Sequence, residues 1–248
     1  MHLGSYHYCD TLKLPYIKES AEREASDSLR RKDTYADYLK RLLHQEVLNR
    51  FSRSIQVKIK KAHFPSMKTW ESFNMTVLPE VNPQVIAKMM TGEYIQKSEN
   101  IITLGSSGTG KTHLAIALGL AACQQGHTVL FQTAAHLVHS LIEAHDARKL
   151  LSLQRKLMTY KVLIIDELGY VPFSNAGAQL LFEVISKRYE QGSLIITSNL
   201  PFEEWTHVFG STQLTGALLD RVTHHAHIIP MNGTSYRVTS RQRNNQVA

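Results

Sequence analysis

The chain has 248 residues, 43% hydrophobic and 20% charged, with 28 Lys plus Arg against 21 Asp plus Glu and a net charge of +7. That length suffices for one well-filled core plus a smaller appendage, and the composition excludes collagen-like and wholly disordered chains. The longest apolar run, residues 114–123, is ten residues, about half of the roughly 20 a bilayer requires, and two cysteines cannot build a disulfide framework, so a soluble cytoplasmic protein without a membrane partner is expected.

Residues 10–32 are largely polar and lack strand patterning. Over residues 35–51, Tyr35, Tyr38, Leu39, Leu42, Leu43, Val47, Leu48 and Phe51 recur at three- and four-residue steps, the period of an amphipathic helix. Residues 1–63 therefore read as a small helical, basic domain. Its end carries Arg50, Arg53, Lys58, Lys60 and Lys61 without an acid. Such a stretch suits the phosphates of DNA, because each phosphate neutralised releases condensed counterions, although a solvated basic face has the same composition. Pro65, Pro79 and Pro83 break residues 64–100 into short pieces, a connector packed on the next domain.

After Asn100 the texture alternates. Short runs rich in Val and Ile at 101–104, 129–131, 162–165 and 194–197 are separated by helix-length segments at 113–125, 135–145 and 178–191. Runs apolar on both faces suit buried parallel strands, so residues 101–238 are expected to form a three-layer α/β domain that binds ligands beyond the carboxyl ends of its strands. Residues 239–248 read as a basic tail.

Directly after the first of these strands, Gly105, Ser106, Ser107, Gly108, Thr109, Gly110, Lys111 and Thr112 fit G-x-x-x-x-G-K-[ST] at every fixed position. The glycines let the backbone curl its N–H groups around a phosphate and the following helix presents its positive end. Lys111 reaches the terminal phosphates, and the Thr112 hydroxyl can ligate Mg²⁺. The strand at 162–165 ends in Asp166 and Glu167. Asp166 is expected to hold the hydrated metal. Glu167, diverging from its neighbour, is free to polarise an attacking water. Asn199, after the next strand, is placed to bridge a γ-phosphate and that water.

These residues also carry a resemblance. The P-loop followed by His113, Leu114 and Ala115, the run from Leu163 through Asp166 and Glu167 to Tyr170, Thr197-Ser198-Asn199-Leu200-Pro201, Leu218-Leu219-Asp220-Arg221 and Ser235-Tyr236-Arg237 together resemble the IstB-like transposition helper proteins of insertion sequences. That family lies in the DnaC-like initiator and helicase-loader group of the AAA+ ATPases. The stretch from Phe64 to Phe73 resembles the segment before the family's core.

The resemblance implies a P-loop NTPase (AAA+) core with a five-stranded parallel sheet, an ATPase using ATP and Mg²⁺, and no full carboxyl-terminal lid domain, since eleven residues follow Arg237. It makes Lys111, Glu167, Asn199 and Arg221 catalytic, with His113 and Arg237 beside the nucleotide. Asn199 is then the sensor-1 residue, Arg237 the sensor-2 residue and Arg221 an arginine finger acting on a neighbouring subunit. A finger in trans requires a head-to-tail contact between copies, which yields a spiral when it does not close. The implied partners are double-stranded DNA and a transposase, with hydrolysis driving disassembly. A DnaC-like replicative helicase loader shares this chemistry, whereas a P-loop small-molecule kinase would need an acceptor pocket and no arginine in trans.

Two features remain. Residues 134–160 are long enough for two helices and carry Arg148, Lys149, Arg155 and Lys156, a second candidate for sequence-independent phosphate contacts along a duplex. His224, His225 and His227 lie close in sequence, but neighbouring side chains of a strand point apart and neither Cys nor carboxylate sits beside them, so surface histidines rather than a metal site are expected.

Overall fold

The computed structural model describes residues 3–75 and 82–233. The chain divides into two compact units, Met1–Val57 and Lys58–Ala248. The division falls inside a helix that begins where the apolar periodicity predicts and continues through the basic stretch, α3 (Tyr35–Lys61). Beyond the division, Ile59 and Ala62 belong to the second unit's core, and the Ala62 carbonyl accepts a hydrogen bond from the Phe131 N–H at 2.8 Å.

The first unit holds α1 (Leu3–Thr11), α2 (Pro15–Arg31) and the first part of α3. Proline at the start of α2 costs no hydrogen bond, because the first N–H groups of a helix have no partner within it. In the same first turn the Ile17 N–H is capped at 3.1 Å by Glu46, a carboxylate of α3 that is only 3% exposed. Negative charge at this helix end is favourable. Tyr38 Oη donates to the Ala21 carbonyl at 3.0 Å, and Arg41 pairs with Asp33 at 2.6 Å. These contacts turn Tyr38, Leu42 and Glu46 inward and leave Leu39, Leu43, Val47 and Phe51 exposed, so only part of the apolar stripe of α3 is buried.

The second unit is built on five parallel strands, β1 (Asn100–Leu104), β2 (Val129–Thr133), β3 (Val162–Leu168), β4 (Ser193–Ser198) and β5 (Ala226–Pro230), in the order β2-β3-β4-β1-β5. Successive side chains of a strand leave on opposite faces, and the two halves of the core follow that rule. Ile101, Phe131, Ile164 and Ile195 pack with α6 (Lys111–Gln124), α4 (Pro83–Met90) and α5 (Glu93–Gln96). Ile102, Leu130, Ile165 and Ile196 pack with α7 (Ala134–Asp146), α8 (Leu150–Met158), α9 (Asn175–Arg188), α10 (Trp205–Phe209) and α11 (Thr212–Thr223). β5 escapes the search for apolar runs because it is an edge strand with His227 and an exposed Ile228 in its middle.

α6 is enclosed from Leu114 to Leu120, which explains an apolar sequence without a polar face. Gly119 makes the fit possible, since a Cβ there would lie 2.8 Å from Ile164 Cδ1 and 2.9 Å from Phe64 Cε1. On the other face, Arg188 is 1% exposed and donates to the carbonyls of Leu157, Tyr160, Lys161 and Ser193. It clasps the entry to β3 and the start of β4, and burial lowers its pKa to about 10. No helix of the described residues is long and apolar enough to cross a membrane.

Candidate functional site

The loop between β1 and α6 follows from its glycines. Gly105, Gly108 and Gly110 have φ of 149°, 86° and 94°, a region that L side chains avoid. At Gly105 a Cβ would also lie 2.3 Å from the Met231 carbonyl oxygen. Thr109 Oγ1 donates to the Ser106 carbonyl at 2.9 Å, and Lys111 Nζ donates to the carbonyls of Gly105 and Ser106 at 2.6 and 2.7 Å. The loop thus carries its ammonium across its own mouth at the amino terminus of α6, where the helix dipole favours an anion.

The acidic end of β3 stands beside it. Asp166 is 3% exposed, and its Oδ1 and Oδ2 lie 3.0 and 3.1 Å from Thr112 Oγ1. Thr197 Oγ1, on β4, donates to Asp166 Oδ1 at 2.6 Å and accepts the Glu167 N–H at 2.9 Å. One hydroxyl therefore fixes both acidic residues. Glu167 itself is exposed and left-handed, with φ of 59°, at a register shift between Ile165 and Leu168. Such irregularities re-aim side chains beside functional sites, and here Asp166 is kept inward while Glu167 faces the cavity.

That cavity has a volume of about 480 Å³ and is lined by residues 107–113 of the loop with Phe73, Glu167, Tyr170, Thr197 and Asn199. Lys111, Thr112, Glu167 and Asn199, expected from sequence to act together, are brought to one place, with Asp166 behind Thr112. The connector contributes more than packing. His113 Nε2 donates to the Thr69 carbonyl at 2.9 Å, the Phe73 ring meets the His113 ring edge-on at 5.1 Å, and Trp70 stacks on Phe73 at 5.5 Å. Thr197, Trp70 and Phe73 had no role assigned from sequence. For Thr197 a signal existed, a polar residue within the apolar run of β4. Trp70 and Phe73 lie in a segment without periodicity, and its resemblance to the stretch before the family's core pointed to no role for them.

The sequence matches the family described as IstB-like ATP binding protein over residues 8–244. The chain belongs to this family. It is 38% identical over 237 residues to an ATP-binding protein of insertion sequence IS5376 from Geobacillus stearothermophilus, covering 96% of this chain and 94% of the relative. It is 35% identical over 232 residues to an ATP-binding protein of insertion sequence IS21 from Pseudomonas aeruginosa, covering 94% and 88%. Among solved structures, the DnaC helicase loader matches with a TM-score of 0.53 at 20% identity, covering 65% of this chain and 97% of that one. AMPPCP-bound DnaA from Aquifex aeolicus matches with a TM-score of 0.59 at 17% identity, covering 75% and 57%. At such identities the likeness is one of fold, that of AAA+ P-loop domains.

In this IstB-like chain Arg221 is not among the residues that line the cavity. Arg221 lies on α11, where Nη1 donates to the Ala217 carbonyl at 2.8 Å and the guanidinium stands 5.0 Å from the Phe182 ring centre. Arg237 and the basic tail lie outside the described residues. Arg50 donates to the Lys13 carbonyl at 2.7 Å and lies 3.7 Å from Glu46, so it ties the first unit together as well as adding charge. Arg53, Lys60 and Lys61 are exposed on α3, whereas Lys58 is half-buried. Arg148, Lys149, Arg155 and Lys156 are all exposed at the α7–α8 turn and along α8.

Proposed function

We propose that this chain is an ATPase that assembles on target duplex DNA in head-to-tail copies and recruits or stimulates the transposase of an insertion sequence. The observation that carries this reading is the convergence of Lys111, Thr112, Glu167 and Asn199 on one cavity, with Asp166 directly behind, in a chain whose insertion-sequence relatives match it nearly end to end. The loop N–H groups and Lys111 bind the triphosphate. The hydroxyl of Thr112 and the carboxylate of Asp166, hard oxygen donors already side by side, suit Mg²⁺. When bound, that ion neutralises charge on the β- and γ-phosphates.

Glu167 accepts a proton from, and orients, the attacking water, while Asn199 holds the γ-phosphate side of the same cavity. Arg221, which does not line its own chain's cavity, serves a neighbouring copy. A guanidinium supplied in this way stabilises the charge that develops during phosphoryl transfer. Loss of the γ-phosphate then releases the assembly from DNA, with Arg50, Arg53, Lys58, Lys60 and Lys61 and the α8 residues as the phosphate contacts.

Glu167→Gln tests the reading. It keeps the size of the side chain and removes the base, so turnover falls at least ~100-fold while ATP binding persists. With ATP and duplex, sedimentation then finds long-lived DNA-bound oligomers. Undiminished turnover, or assemblies that decay at the wild-type rate, removes Glu167 from the hydrolytic step.

A further inference from the structure

We propose that Glu190, His224 and His225 form a binding site for a zinc-class divalent transition-metal ion at the end of the sheet opposite the phosphate loop. All strands are parallel and the P-loop follows β1, so the turns that enter β4 and β5 lie at that opposite end. Glu190 sits in the first of these turns and the two histidines in the second. Sequence spacing hides the group for two reasons. His224 and His225 close α11 in a turn rather than lying in a strand, and their rings approach to 4.1 Å instead of pointing apart. The carboxylate arrives from 34 residues earlier in the chain.

One ligand atom from each of the three residues lies within 4.8 Å of the others, against a separation of ~3.4 Å for ligands about 2.1 Å from a tetrahedral ion. Small side-chain rotations of exposed groups close that difference. The backbone beneath is held firmly by Asn100, which lies on β1 between the two turns. Its N–H donates to the His225 carbonyl at 2.7 Å, its Nδ2 donates to the Val222 carbonyl at 3.1 Å, and its Oδ1 accepts the Leu194 N–H at 2.9 Å. Glu190 has a φ of 59°, which fixes its direction where the chain leaves α9.

Two imidazoles and one carboxylate make a borderline donor set, suited to zinc, cobalt, nickel or copper and poorly suited to magnesium or calcium. Three protein ligands leave a fourth tetrahedral position for water. Tyr189 supplies the outer contact. Its hydroxyl lies 2.7 Å from His224 Nδ1, so a metal on Nε2 selects the tautomer in which Nδ1–H donates to that hydroxyl, an outer hydrogen bond that orients the ligating ring.

The test uses untagged full-length protein stripped with a chelator and kept free of nucleotide. Zinc is titrated by calorimetry, and cobalt by the visible absorption that reports tetrahedral coordination. One saturable ion per chain with micromolar or tighter affinity is expected. His224→Ala with His225→Ala abolishes binding, Glu190→Gln weakens it, and Tyr189→Phe, which keeps all three ligands, weakens it about tenfold. His227→Ala, whose imidazole instead meets Glu99 at 2.8 Å, and Asp166→Asn, at the distant P-loop site, leave it unchanged. The ligands are exposed, so the metal-free variants share the wild-type melting temperature and lost binding reports on coordination. Zinc affinity unchanged in the double histidine variant, or no binding at micromolar zinc by the wild type, overturns the proposal.

Discussion

Thr197 holds two functions in one oxygen. Its hydroxyl donates to the buried Asp166 carboxylate and accepts the N–H of Glu167, so the orientation of Asp166 and the left-handed backbone of Glu167 share a single support. A left-handed non-glycine residue costs on the order of 1 kcal/mol and persists only where its surroundings enforce it. Thr197→Val keeps the shape and removes both bonds, leaving the Glu167 N–H without its partner. The expected loss of stability is ~1–3 kcal/mol, read by chemical denaturation. A fall in kcat larger than the rise in KM for ATP should accompany it, because Lys111 and the loop are untouched. A variant with wild-type stability and kcat shows that Glu167 is held by something else. Asp166 and Glu167 were readable from the sequence because they end an apolar strand after a P-loop. Thr197 was harder to weigh, since a threonine inside a strand is also ordinary β-structure.

Among the elements, the P-loop was the easiest to read, because its glycines are demanded one by one by positive φ and close approach. α6 was readable from length and apolar content, yet its surroundings were not. Periodicity shows which face of a helix is apolar, and a helix apolar all round gives no direction. The structure resolves this by wedging Phe64 beside Gly119 against both α6 and the sheet, where its ring meets that of Phe131 on β2 edge-on at 6.3 Å. Gly119 is the point where sheet, helix and connector meet, with Ile164 and Phe64 both within 3.0 Å of a notional Cβ. Gly119→Val gains a few tenths of a kcal/mol in helix propensity but forces Phe64 or Ile164 aside, an overpacking cost of ~1–3 kcal/mol. Net destabilisation is expected. Adding Phe64→Leu should recover part of it, so a double-mutant cycle by urea unfolding gives a non-zero coupling. Strict additivity of the two changes would place Phe64 elsewhere.

At the scale of the whole molecule, the α/β alternation and the change of character after the amino-terminal helices were evident in the sequence, while the division at Val57/Lys58 was not. The amphipathic period of α3 runs past it without a break, and no proline, glycine or polar cluster marks the point. The charge, by contrast, is written in the composition and only needs placing. Arg148, Lys149, Arg155 and Lys156 stand exposed around the α7–α8 turn, with Arg148 left-handed at φ of 56°. If this edge follows a duplex backbone, each contact contributes ~0.9 to the slope of log affinity against log salt. Replacing all four by Gln lowers the net charge from +7 to +3, since 7 − 4 = 3. The slope for ATP-dependent duplex binding should then flatten by up to about 3 to 4, with no change in preference among sequences, because phosphate contacts position without reading bases. Fluorescence anisotropy at several salt concentrations measures this directly. Lys60→Gln with Lys61→Gln, on the other basic stretch, should flatten it by no more than about 2. A slope that responds only to the α3 pair assigns the duplex to that helix and leaves the α8 charges to solvent.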